Sequence, residues 1–264
     1  MFRHLKAQTI VSKVLLICGL AAMGVGCAYE SRTASRAGTY NGPPVDVGQG
    51  QAWTFVTLDE TGEATNLGVR FSETALSGLP EHAEHGEAEY LLSLPPEASV
   101  SGYNHVTLDW NPQGHIPPGV YDLPHFDFHF FVIDDAKRNA ITATGDDLAR
   151  ARKAPEPSYM PVDYVLPEGT EVPRMGAHAI DPGSDEFQGK AFTQTFIYGF
   201  YDGDIIFMEP MMTHAFLQAH PQVSMPVKQP PEYAAHFSYP AFYGVYYDAD
   251  LAEYSVVLEQ LMKH

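Results

Sequence analysis

The sequence is poor in cysteine, in basic residues and in long apolar runs. Its 264 residues contain two cysteines, Cys18 and Cys27. Once Cys18 is trimmed away no internal disulfide can form, so the body must be held by its core. The same scarcity excludes thiolate metal ligands and a cysteine nucleophile from the folded body. Fifteen Lys and Arg stand against 33 Asp and Glu, a formal charge of −18. A surface of that sign repels nucleic acid and anionic headgroups, so no nucleic-acid partner is expected. The apolar run Val14–Val25 is shorter than the roughly 20 residues that a spanning helix needs. Also missing are a serine in a nucleophile elbow, a phosphate-binding glycine loop, carboxylates paired in a general-acid setting, and an internal repeat.

What is present starts with a targeting pattern. Arg3, Lys6 and Lys13 precede the short apolar run, as in a secretory signal peptide. Gly24-Val25-Gly26-Cys27 follows, and small residues before a cysteine resemble a bacterial lipoprotein cleavage site. Cys27 would then be the lipidated first residue, facing the periplasm or exterior from the cell membrane or outer membrane. Ordinary cleavage after Ala28 is the competing reading, and both imply export. Removing residues 1–26 leaves 12 basic against 33 acidic residues, a formal charge of −21. The expected organisation is a signal peptide over 1–26, a polar tether over 27–46 and one β-rich domain over 47–264.

Hydrophobic content of 45% is ample for a packed core, and 21 prolines with 22 glycines favour turns and short strands over long helices. Strands are expected at 52–57, 66–72 and 104–110, with short helices near 135–140 and 145–151. Asp202-Gly203 is a hairpin turn signal between 193–200 and 204–209. A two-residue loop pairs Phe200 with Ile205, Tyr198 with Phe207 and Phe196 with Glu209. Glu209 would then share a face with aromatic rings and be paired, ligating or protonated. The alternative is that the strand end lifts it into water. Near the C-terminus 242–248 reads as a strand, whereas 254–262 fits strand or helix.

The most informative stretch is 124–133, Pro-His-Phe-Asp-Phe-His-Phe-Phe-Val-Ile. Strict alternation makes it a strand, with Phe126, Phe128 and Phe130 on one face and His125, Asp127 and His129 on the other. The phenylalanines must be buried. At about 3.3 Å per residue, His125 and His129 lie roughly 13 Å apart and cannot share an ion on a regular strand. Asp127 can ligate with one histidine, or hydrogen-bond both imidazoles. Further ligands are expected from His178 and Glu209, with His115 as a secondary candidate. Imidazole and carboxylate without thiolate suit Zn, Mn or Fe. The competing reading is a structural polar ladder with no ion. His82 and His85, among glutamates, read as an exposed connector.

Two resemblances extend this. The spacings Gly119-x5-His125 and Pro173-x-x-Gly176-x-His178 resemble the cupin motifs, with Asp127 where cupins carry a histidine and with a differently spaced second motif. That resemblance implies a β-barrel with a metal inside. Trp110-Asn-Pro-x-Gly-His115-x-Pro-Pro-Gly-x-Tyr121, the 125–131 stretch, Val172-Pro-x-Met-Gly-x-His178 and the 196–211 hairpin together resemble a small family of exported bacterial proteins of unknown function. One of its members belongs to an extracytoplasmic sigma-factor regulon of a thermophile. The resemblance implies an exported β-rich domain, homo-oligomeric and stress-regulated, and it supplies no catalytic residues.

The expected fold is mainly β, an antiparallel β-sandwich or barrel with a few short helices, with α+β as the alternative. The expected function is an exported, lipid-anchored envelope protein binding a divalent metal or small ligand at His125, Asp127, His129, His178 and Glu209. The alternatives are a structural, oligomer-forming envelope protein without metal, and a metal-dependent hydrolase or isomerase with Glu209 as base.

Overall fold

The alternating stretches become strands in the computed structural model of the chain, which describes residues 36–83, 87–233 and 237–264. The chain first lays down β1 (Gly38–Asn41), β2 (Val45–Val47), β3 (Gly50–Leu58) and β4 (Ala64–Ser72). It then builds β5 (Glu89–Ser93), β6 (His105–Asn111), β7 (His125–Phe131), β8 (Glu171–Val172), β9 (Gly176–Ala179), β10 (Gln194–Tyr201) and β11 (Asp204–Thr213). It returns through β12 (Gln222–Pro226), β13 (Ser238–Asp248) and β14 (Glu253–Lys263). The helices α1 (Asp135–Asn139), α2 (Leu148–Ala151) and α3 (His214–Gln218) are short.

The first and last groups make one seven-stranded antiparallel sheet, ordered β1-β3-β4-β14-β13-β12 with β2 added to β3. The middle group makes the other, ordered β5-β6-β7-β11-β10-β9-β8. The fold is an antiparallel β-sandwich with a few short helices, as the sequence predicts. Between the sheets lies the main core. Phe126, Phe128 and Phe130 of β7 enter it, and the Phe128 ring meets Phe71 of β4 at 5.9 Å. Burying each ring stabilises the fold by about 1.5–3 kcal/mol.

The second sheet is unusual in burying both faces. Every residue of β6 and β7 is buried, the histidines and aspartates included. Two smaller apolar clusters cover its far side. One gathers Phe131, Ile141, Met175, Ile206 and Phe207, and the other Tyr121, Phe192, Ile197 and Met211. Chain between the strands supplies Tyr121, Ile141, Met175 and Phe192. The polar residues of β6 and β7 lie between these two apolar pads, which shut out bulk water.

Two sequence expectations change, and one left open is resolved. Residues 38–41 and 45–46, expected in the tether, pair with β3 as β1 and most of β2. The edge of β3 offers backbone donors and acceptors that this extended segment satisfies. Residues 1–35, with the signal peptide and Cys27, lie outside the described residues, as does His85.

The hairpin register also changes. Asp202 and Gly203 have φ of 54° and 86°, the type I′ turn expected, and Phe200 pairs with Ile205. A bulge at Gly199/Phe200 then shifts the ladder, so Gly199 faces Phe207 and Ile197 faces Glu209. Gly199 is required there, because a Cβ would stand 2.1 Å from the Phe207 ring. The bulge moves Glu209 off the face of Phe196 and Tyr198, which stay in the main core. β11 runs on to Thr213, so Glu209 is not lifted into water but is buried. Finally, 253–263 is a strand throughout, paired with β4 and β13.

Candidate functional site

The site forms on the outer face of the second sheet, where four strands bring polar side chains into register. β7 contributes His125, Asp127 and His129. Its neighbour β6 places Asn111 opposite His125, Asp109 opposite Asp127 and Thr107 opposite His129. On the other side β11 carries Glu209. Its ladder to β7 skips Glu209 and Pro210, and proline has no N–H to give. β9 brings His178 opposite Gly199. The loop between β6 and β7 returns His115 to the same face, held by backbone bridging between His115 and Tyr121.

These residues separate into two groups of the same composition. One is His115, His125 and Asp127, and the other His129, His178 and Glu209. The β7 histidines therefore go to different groups, as their spacing requires. His115 stands in the first group on equal terms with His125. His82 joins neither and contacts Gln113 through Nδ1 at 3.0 Å.

In the first group His115 Nε2 lies 3.1 Å from Asp127 Oδ2, and His125 Nε2 lies 3.2 Å from Asp127 Oδ1. In the second His129 Nε2 lies 3.4 Å from Glu209 Oε1, and His178 Nε2 lies 3.9 Å from Glu209 Oε2. The opposite ring nitrogens are all engaged. Nδ1 donates to the carbonyl of Ile116 from His115 at 2.7 Å, of Leu123 from His125 at 2.6 Å and of Thr170 from His178 at 2.8 Å. His129 Nδ1 donates to Asp109 Oδ2 at 3.0 Å. A carbonyl or carboxylate only accepts, so each Nδ1 carries a proton, and in the neutral ring each Nε2 points a lone pair at a carboxylate.

Two acceptors cannot face one another in a buried site without something between them. Among the described residues, His125 Nε2, His129 Nε2, Asp127 Oδ1 and Glu209 Oε2 are buried with no hydrogen-bond partner. A metal ion held at about 2.0–2.2 Å from each ligand keeps its donors within roughly 4.4 Å of one another. The imidazole–carboxylate separations of 3.1–3.9 Å are of that size, and all the donor atoms of each group lie within 4.8 Å of one another. The donor set, two imidazoles and one carboxylate, is that of many zinc, manganese and non-haem iron centres.

Protonation is the competing way to neutralise these groups. Burial pulls His115 down, but the Asp127 carboxylate and the Ile116 carbonyl outweigh it and raise its pKa to about 9. Burial likewise opposes the charge on His129, which Glu209 and Asp109 favour more strongly, so its pKa rises. Burial raises Asp127, yet His125 and His115 hold it well below the usual carboxylate range. Glu209 moves up, chiefly through burial, against the pull of His129.

Sequence reasoning passed over the layer beneath the groups. Asn111 Nδ2 donates to Asp127 Oδ2 at 2.7 Å, and Thr107 Oγ1 donates to Asp109 Oδ2 at 2.8 Å. The signal was legible, because His105, Thr107, Asp109 and Asn111 alternate with apolar residues as those of β7 do. Tyr121, which closes the Trp110–Tyr121 motif, belongs to the same surroundings. Its ring lies 5.8 Å from His115, and its hydroxyl donates to Glu186 Oε1 at 3.2 Å.

His125, His129, Asp127 and Glu209 are at most 1% exposed, whereas His115 and His178 are 13% and 14% exposed. Among the described residues each group thus meets solvent through one histidine. Both histidines line the same cleft, together with Glu209.

No curated protein and no solved structure matches the chain. Residues 59–110 match the TTHB210-like family, described as hypothetical protein TTHB210, and this stretch runs through Thr107 and Asp109 but stops short of all six residues of the two groups.

Proposed function

We propose that this is an exported, lipid-anchored envelope protein that binds divalent metal at both His–His–carboxylate groups. One observation carries the metal reading. All four Nδ1 atoms are engaged, while Nε2 of His125 and of His129 lies buried against a carboxylate without a hydrogen-bond partner. Such fixing of the far ring nitrogen is the usual support of a ligating histidine. Zn²⁺, Mn²⁺ and Fe²⁺ all suit the donor set. Export and anchoring rest on the basic and apolar N-terminus and the small residues before Cys27.

A proton is the other species that can stand between an imidazole and a carboxylate. The raised pKa of His115 favours it, and the face is then a structural ladder. Elemental analysis separates the two. The full chain, purified without chelator or metal-affinity resin, is expected to hold two ions, and His125→Ala and His178→Ala one each. Absence of metal, with melting unchanged by added Zn²⁺ or Mn²⁺, would leave the ladder. For the anchor, Cys27→Ser is expected to move the protein out of the membrane fraction. Retention there would remove the lipid from the reading.

A further inference from the structure

The cleft over the two groups restricts what can reach them. His115 of one group and His178 and Glu209 of the other share its lining, and Val172, Ile180 and Ile197 supply apolar wall. Its volume is about 30 Å³. A single water needs roughly 10–15 Å³ measured in the same way. The space therefore takes one or two atoms the size of water oxygen, or a narrow molecule of two or three atoms. A sugar, a peptide or a phosphate ester is too large to be enclosed in it. The walls offer few groups to hydrogen-bond a larger polar substrate, so the floor is where recognition happens.

Charge selects further. Two divalent ions exceed the charge of their ligating carboxylates, Asp127 and Glu209, while Asp109 and the Glu186 carboxylate behind Tyr121 bring the wider region to neutrality, so the positive charge is confined to the ions themselves. In such a setting electrostatic attraction is weakly screened and favours a small anion. Two histidines and one carboxylate also leave coordination positions open on each ion. The side from which both groups are reached is the same side.

We propose that the two centres share one exogenous ligand, a small anion or oxygen species of at most three heavy atoms, admitted through the cleft between His115 and His178. Hydroxide, superoxide, peroxide and dioxygen belong to this class. The inference rests on the metal reading above and narrows it, because it limits the shared ligand to what the cleft encloses.

Cobalt(II) makes this testable, since its visible absorption reports its ligands. The full chain is loaded with Co²⁺, the bound cobalt is counted, and the spectrum is followed against azide and, separately, phosphate. The expected result is two cobalt ions per chain and a saturable azide response with one azide per chain. Phosphate at the same concentrations is expected to leave the spectrum unchanged. Ile197→Ala, which widens the wall while keeping all six ligands, is expected to let phosphate perturb it. In His125→Ala and His178→Ala the azide affinity is expected to fall at least tenfold, because one of the two centres is gone. A phosphate response equal to that of azide in the unaltered chain overturns the size limit. Two independent azides per chain, or full azide affinity in both single-centre variants, overturn the sharing. Two bound cobalt ions with no azide response overturn ligand access. Failure to take up cobalt at all removes the metal reading itself, and the cobalt count tells that outcome from the others.

Discussion

At the scale of single residues, the site depends on which nitrogen of each imidazole is free to act. Three histidines are oriented by backbone carbonyls, which no side-chain substitution removes. His129 is different, because its Nδ1 is held by the Asp109 carboxylate, itself braced by Thr107. Asp109→Asn replaces one accepting oxygen by a donor and loosens the ring without touching a ligand atom. Loss of such support costs about 10–100-fold in metal affinity. Competition with a coloured chelator is expected to show that loss at one centre only, the His115–His125–Asp127 centre keeping its affinity. Equal weakening of both centres would mean that Asp109 supports the sheet and not the ligand.

At the scale of elements, β6 and β7 act as a pair and are closed at one end by an ion network. Arg138 of α1 is fully buried, lies over the Phe131 ring at 4.7 Å and donates to both oxygens of Glu89 on β5. Arg174 donates to the same carboxylate at 3.0 and 2.9 Å. Burial works against ionised Glu89, but the two guanidiniums prevail and lower its pKa. Glu89→Ala leaves the Arg138 charge buried without its main partner, at a cost of about 3–5 kcal/mol. Denaturant unfolding should show that loss while the metal content of the folded protein is unchanged. A stability change under 1 kcal/mol would show that Asp135, 3.6 Å from Arg138, suffices as its counter-ion.

At the scale of the whole molecule, acid stability carries the mark of a buried neutral histidine. His105 stacks on Phe131 at 4.8 Å, and burial first, then the Arg138 guanidinium, lowers its pKa to about 4. The carboxylates of Asp135, Glu89 and Asp134 oppose this without reversing it. The unfolded chain takes up the proton near the ordinary histidine value of about 6.5, whereas the folded chain refuses it until about 4. The contribution is therefore complete above pH 6.5 and is lost as pH falls from there towards 4. Allowing for partial solvent screening it is on the order of 2 kcal/mol. His105→Phe keeps the stacking and removes the titration. Its unfolding free energy is expected to fall less steeply over that interval than that of the unaltered chain, and equal slopes would refute the assignment.

The sequence by itself determined the strands and the two faces of β7. Side chains alternate along a strand, so a buried phenylalanine row dictates where its polar neighbours go. It also determined that His125 and His129 serve different groups, because strand rise sets their spacing. The turn at Asp202-Gly203 was legible because a type I′ geometry demands residues that tolerate positive φ. Tertiary structure alone decided the partners. The bulge beside Gly199 put Glu209 opposite Ile197 and off the aromatic face, since the Phe207 ring needs the space that a glycine leaves open. A loop return brought His115 onto Asp127, and β9 brought in His178, across distances that no local periodicity encodes. Burial of both faces of the second sheet also needed the whole chain. Only the packed loops and aromatic clusters could turn a row of polar side chains into two closed groups opening on one cleft.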